Sequence, residues 1–196
     1  MRTLRRAFAR LAFALAGYRH VRRPMPPDGA GLLIGAPHTS NWDFVLMLGI
    51  THDLGIPTRW LGKHQLFRGP FGPLMRALGG IPVDRRSPHG LVAEVVGRLR
   101  SGERFYLVVT PEGTRGRSEY WKSGFYRIAR EAGVPVTLGF VDSATRTTGL
   151  GPTLELTGDV RADMELVRSF YADKVGVHPE LTTEPRLREE PAGPAP

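Results

Sequence analysis

The feature that most constrains the fold is an alternation of period along the chain. From Gly31 onward, short apolar runs of strand-like content alternate with segments whose apolar residues recur every three or four positions, and glycine closes most of the latter. "GLLIGAP" reads as a buried strand and "DFVLMLGITHDLG" as an apolar helix stopped by Gly55. "PTRWLGK", "IPVDRR", "RFYLVV", "VPVTLGFVD" and "LGPTLELTGD" read as further strands. "GPFGPLMRALGG", "SPHGLVAEVVGRLRSG" (Ser87 as N-cap), "WKSGFYRIAREAG" and "ADMELVRSFYADKVG" read as helices. Such alternation predicts an α/β fold: one domain with a central, largely parallel or mixed sheet flanked by helices. A chain of 196 residues suits one domain of this kind.

The two ends differ from the middle. Residues 1–23 hold seven arginines and no acidic residue, with Leu4, Phe8, Leu11 and Leu15 at helical spacing. This predicts an N-terminal basic amphipathic helix that docks on an anionic membrane surface, the alternative being a helix packed on its own domain. Arg10 interrupts the apolar stretch, leaving it shorter than the core of a typical secretion signal. Residues 24–178 form the expected folded domain. Residues 179–196 are Pro-rich and polar and are expected to form a disordered tail with nothing to bury.

The net charge of +8, from 27 basic and 19 acidic residues, points to an anionic partner: nucleic acid, a phospholipid surface or a phosphorylated substrate. The absence of cysteine excludes disulfides, a thiolate nucleophile and cysteine-ligated zinc. No apolar run approaches the roughly 18 residues that span a bilayer.

"GAPHTSNWDF" places His38 five residues before Asp43. Each helical residue turns about 100°, so two residues five apart point about 140° away from each other and cannot meet mid-helix. They can meet if His38 lies in the loop before a helix and Asp43 in its first turn. Ser40 is a good N-cap, Ser40-Asn41-Trp42-Asp43 has capping-box form, and Pro37 makes continuous helix through Ala36 unfavourable. Asp43 would then hold one ring nitrogen of His38 and leave the other as a general base. Simple capping by Asp43 and a loop role for His38 are the structural alternatives.

Taken with "GGIPVDR", "TPEGTR" and "GVPVTLGF", the His38-x4-Asp43 block resembles the glycerolipid acyltransferase family, whose members acylate glycerol-3-phosphate or lysophosphatidate. The four blocks come in the family's order across about residues 31–142, and "APHTSNWDF", "GKHQLFRGPFG" and "WKSGFYRIA" look most like short bacterial PlsC-type members. The resemblance implies that His38 is the catalytic base and Asp43 its orienting partner. It implies Arg85 and Arg115 as phosphate ligands and Glu112, Gly113 and Thr114 as the loop around them, with Lys63 at a basic position facing phosphate. The acceptor is then a lysophospholipid, 1-acylglycerol-3-phosphate by default. The donor is acyl-CoA or acyl-carrier protein, and no cofactor or metal is required. The protein would work on the cytoplasmic face of the cell membrane as a peripheral enzyme. No Gly-x-Ser-x-Gly elbow occurs, so no acyl-enzyme is expected, and backbone N–H groups at the Ser40 helix start would stabilise the oxyanion.

The chain departs from the family at Leu138, where a second proline is usual, and at Thr110 and Pro82. Those positions are expected to line the acyl or acceptor site, which leaves another lysolipid or hydroxylated lipid as the alternative acceptor. From another class, His38, Asp43, Asp84 and Glu112 would be the ligands of a metal-dependent phosphoesterase. A nucleic-acid module is not expected: no RNA-binding sheet signature or helix-turn-helix pattern appears.

Overall fold

Alternation of side chains along a strand sends Leu32 and Ile34 into one core and Leu33 into another, on the opposite face of the same sheet. The computed structural model describes residues 2–21, 29–83 and 88–190. The elements in order are α1 (Arg2–Ala16), β1 (Arg19–Val21), β2 (Gly31–Ala36), α2 (Trp42–Leu54) and β3 (Thr58–Lys63). A 3₁₀ turn (His64–Phe67) then leads to α3 (Gly72–Ala77), β4 (Gly80–Val83), α4 (Pro88–Arg100) and β5 (Tyr106–Val109). α5 (Gly124–Ala132), β6 (Val136–Asp142), β7 (Thr147–Leu154) and α6 (Val160–Tyr171) complete the sequence.

The seven strands form one mixed sheet in the order β1-β7-β6-β2-β5-β3-β4. Neighbours pair in parallel except β6 and β7, which are antiparallel. β2 lies between β5 and β6, where the strand order reverses direction, so the loops after β2 and β5 open side by side at one edge. On one face α4, α5 and α6 cover Leu32, Ile34, Leu107 and Leu138 with Val95, Phe125, Ile128, Met164 and Val167. On the other, α1 and α2 cover Leu33, Tyr106 and Val108 with Ala9, Phe13, Leu46 and Ile50. Gly49 lets the two helices approach, since a Cβ there would lie 2.7 Å from Phe13 Cζ.

Both proposed end segments differ from expectation. The first is no separate appendage: β1 pairs with β7, and Ala9, Phe13 and Tyr18 are buried in the core. The helix docks through Ala9 and Phe13, whereas Leu11 and Leu15 of the predicted stripe are 56% and 80% exposed. β1 is three residues long, too short for a period to announce it. The second is not a loose tail over residues 179–190. Leu187 is almost completely buried and bridges to Trp121, whose indole N–H donates to the Thr183 carbonyl at 3.3 Å. Arg168 Nη1 donates to Glu190 at 2.8 Å. One leucine and a few polar anchors suffice, a pattern with no periodicity to read.

Candidate active site

The strand β2 ends at Ala36, and after Pro37 the chain turns out of the sheet with His38. Helix α2 begins at Trp42, so His38 is in the loop and Asp43 in the first turn. Asp43 Oδ2 accepts the Ser40 N–H at 2.8 Å, and Ser40 Oγ accepts the Trp42 N–H at 3.2 Å. Half of the suggested capping box forms, with Asp43 reaching back to Ser40; the N-cap itself is Asn41, not Ser40, and its side chain makes no cap hydrogen bond. The same Oδ2 lies 3.3 Å from His38 Nδ1, a close contact whose geometry falls short of a hydrogen bond. The Asp43 side chain is buried, with Oδ1 unpartnered among the described residues, and the His38 ring retains 16% exposure. The geometry fixes Nδ1 as the nitrogen facing the carboxylate. Nε2 is left for chemistry.

Glu112 follows β5 on the adjacent strand and is 1% exposed. Its Oε1 accepts the backbone N–H of His38 at 2.6 Å. Burial pushes its carboxyl up to about 7, the His38 N–H and the His38 charge act against that rise, and the Asp43 charge adds to it. A cavity of about 370 Å³ opens beside Glu112, reaching the His38 loop through Ala36 and Pro37 and bounded by Arg117, Trp121 and Tyr171.

The remaining loop residues stand around this centre. Gly113 has φ +71°, a left-handed conformation that glycine adopts without strain, and a Cβ there would press on the Lys122 stem. Thr114 is exposed and its Oγ1 accepts the Gly116 N–H at 3.2 Å. Arg115 is exposed, as is Lys63 at the end of β3. β3 runs parallel to β5, so Lys63 emerges at the same edge as His38. Arg85 and Asp84 lie outside the described residues, as does Ser87.

A sequence model described as Acyltransferase matches residues 16–137, more than half of the chain. The chain belongs to the acyltransferase family. Among solved structures, it is similar to the 1-acyl-sn-glycerophosphate (LPA) acyltransferase PlsC from Thermotoga maritima. The TM-score is 0.60 at 20% identity, covering 85% of this chain and 76% of that one, and the likeness establishes a shared fold. No curated protein matches this chain.

In this acyltransferase, three of the residues singled out from sequence converge: His38, Asp43 and Glu112. Two sequence expectations are narrowed. The Ser40 and Trp42 amides are engaged by Asp43 Oδ2 and Ser40 Oγ, so of the amides at the helix start these two are not available to an oxyanion. Leu138, expected to line the site, is fully buried within β6 and is not part of the lining of the cavity beside Glu112. Among the described residues, no group of three His, Asp or Glu side chains is placed to hold a metal ion.

Sequence reasoning missed what holds the His38 loop in place. The His178 N–H donates to Thr39 Oγ1 at 3.0 Å, and a Cβ at Gly176 would lie 2.8 Å from that hydroxyl. The loop of the acyltransferase is thus clamped between Glu112 and residues 176–178. No local pattern signals a contact across 139 positions.

Proposed function

We propose that this acyltransferase moves a fatty acyl group from a thioester, acyl-CoA or acyl-carrier protein, to a hydroxyl of a lysophospholipid, 1-acylglycerol-3-phosphate in the first instance. The observation that carries the reading is the His38–Asp43 contact at 3.3 Å on a loop tethered through its backbone by buried Glu112. His38 Nε2 takes the acceptor's hydroxyl proton as its oxygen bonds to the thioester carbonyl carbon. The tetrahedral intermediate collapses, the carbon–sulfur bond breaks, and the leaving thiolate receives the proton from His38. Asp43 stabilises the ring while it carries that proton. No step needs an acyl-enzyme.

Arg115 is one of two described guanidinium groups on the Glu112 loop, Arg117 being the other, and its planar fork suits a phosphate. Arg85 is assigned the second phosphate contact, and Lys63 a third from the end of β3. The carried resemblance supports these roles, as does the shared sheet edge for Arg115 and Lys63. Helix α1 supports a peripheral position on a membrane, with Leu11 and Leu15 exposed one turn apart beside the largely exposed Arg10 side chain, and the assignment to the cytoplasmic face rests on the resemblance alone. No helix among the described residues is long and apolar enough to cross a membrane.

The test is thiol release from palmitoyl-CoA and palmitoyl-carrier protein with lysophosphatidate and a panel of other lysolipids, products identified by mass. Transfer by the wild type that disappears in His38→Ala is the expected result. Transfer retained by His38→Ala would overturn the assignment of the base, and the preferred lysolipid identifies the acceptor.

A further inference from the structure

Seven large apolar side chains are exposed among the described residues, and three of them, Leu66, Phe71 and Leu74, fall within nine consecutive positions. They are 49%, 69% and 51% exposed. The segment that carries them is the 3₁₀ turn after β3, the glycine- and proline-containing link 68–71, and α3. Its charge is one-sided. From Leu54 to Val83 the chain has no aspartate or glutamate, and the exposed Lys63, Arg68 and Arg76 flank the three apolar side chains.

This exposure belongs to a rigid projection. Phe67 is buried and packs against Trp60 with ring centroids 5.8 Å apart. Trp60 in turn meets Phe44 of α2 edge-on at 4.8 Å. Gly72 is buried, and a Cβ there would run into the Phe67 carbonyl oxygen. Arg76 donates to that carbonyl at 3.3 Å and lies over the Phe67 ring. The underside of the segment is thus fastened to the sheet, and Leu66, Phe71 and Leu74 face outward. The projection leaves the sheet at the edge where His38 and Glu112 emerge, since β2 and β3 both run parallel to β5. Trp42, 57% exposed in the first turn of α2, stands at the same edge.

We infer that residues 64–77 are a membrane-inserting rim of the active site, a second contact besides α1, and that its partner is an anionic phospholipid surface. Large apolar side chains flanked along the chain by exposed cations, with no acid in the segment, match an interface in which acyl chains lie just beneath anionic headgroups. The location brings the reacting hydroxyl of a bilayer-held acceptor to His38, so the inference rests on the lipid-acceptor reading above.

The absence of cysteine makes a direct test possible, because Leu74→Cys in the full chain gives one attachment site for a polarity-sensitive fluorophore. Arg161→Cys, at an exposed position on α6, is the control. With vesicles of equimolar phosphatidylcholine and phosphatidylglycerol, the fluorophore at 74 is expected to shift to the blue and that at 161 to stay unchanged. Phe71→Ser with Leu74→Ser should weaken vesicle binding about tenfold or more, with an unchanged melting temperature. Co-sedimentation without a shift at 74 overturns the rim and leaves α1 as the contact. A blue shift that grows with protein concentration before vesicles are added assigns the patch to a second copy of the chain and overturns the inference. A shift with acidic carrier protein and none with vesicles overturns it in favour of a protein partner. Thiol release with a short-chain, water-soluble lysophosphatidate tests the reaction separately, so failure of the chemistry and failure of the rim are distinguishable.

Discussion

Helix α2 carries an aspartate near each end, each facing a histidine from another element, and the two pairs sit in different surroundings. At its start, His38 Nδ1 stands 3.3 Å from Asp43; near its end, His20 Nδ1 stands 3.0 Å from Asp53. Ten residues of helix separate the two carboxylates by about 15 Å. Asp43 faces the positive end of the helix dipole and caps a backbone amide, so its charge is partly compensated before His38 arrives. Asp53 is in the last turn, where the dipole disfavours an anion; Arg10, 3.5 Å away, supplies a positive partner and the His20 ring a hydrogen bond at 3.0 Å. The His20 ring is 6% exposed and stacked under Phe13, and the pair ties α1 and β1 to α2. His38 sits in the open loop beside Glu112. The same two side chains make a covered tether where α1 packs over them and a partly exposed pair, the base of the proposed reaction, where the strand ends leave an opening.

The comparison breaks most clearly at the histidines. His38→Ala is expected to lower acyl transfer by roughly 10²–10⁴-fold with the fold intact, and Asp43→Asn by on the order of 10², chiefly in kcat. His20→Ala should leave turnover within about twofold while destabilising the protein by about 3 kcal/mol, because Asp53 loses a buried partner. A melting curve and a thiol-release assay on the same preparations separate the two outcomes. Turnover lost in His20→Ala at a temperature where it stays folded would mean that the far pair also serves catalysis.

A smaller effect sharpens the picture of the His38 pair through Glu112. Its carboxyl is raised from the ordinary 4.5 to about 7, so the folded protein holds a proton there that the unfolded chain has released. Stability therefore declines as pH rises from about 4.5 to about 7 and this contribution is level above that, a difference on the order of 3 kcal/mol. Glu112→Gln keeps an acceptor for the His38 N–H and removes the titration. Denaturant midpoints from pH 5 to 8 should fall for the wild type and be flatter for Glu112→Gln. Parallel curves would mean that another group governs the window.

Much of this was legible in the residues because it rests on short-range rules. Strand and helix periods set the α/β class, and the cap of Ser40 by Asp43 three positions away set where His38 could meet Asp43. Burial of the Leu187 segment was not legible, since one leucine among polar residues has no period. Which residues of α1 pack on the domain was not legible, because helical spacing gives an apolar stripe without saying which side chains find a neighbour. Phe13 found Gly49, and Leu11 and Leu15 were left outside.

The sequence by itself determined the class of fold, the family, and a histidine and an aspartate spaced so that a helix start brings them together. The tertiary structure decided that Glu112, 74 residues from His38, holds that histidine by its backbone, and that His20 with Asp53 is a covered tether. Periods and caps act over one turn of chain, so they are written locally. Which surfaces meet across the sheet depends on how the whole chain closes, and that closure gives two like pairs unlike roles.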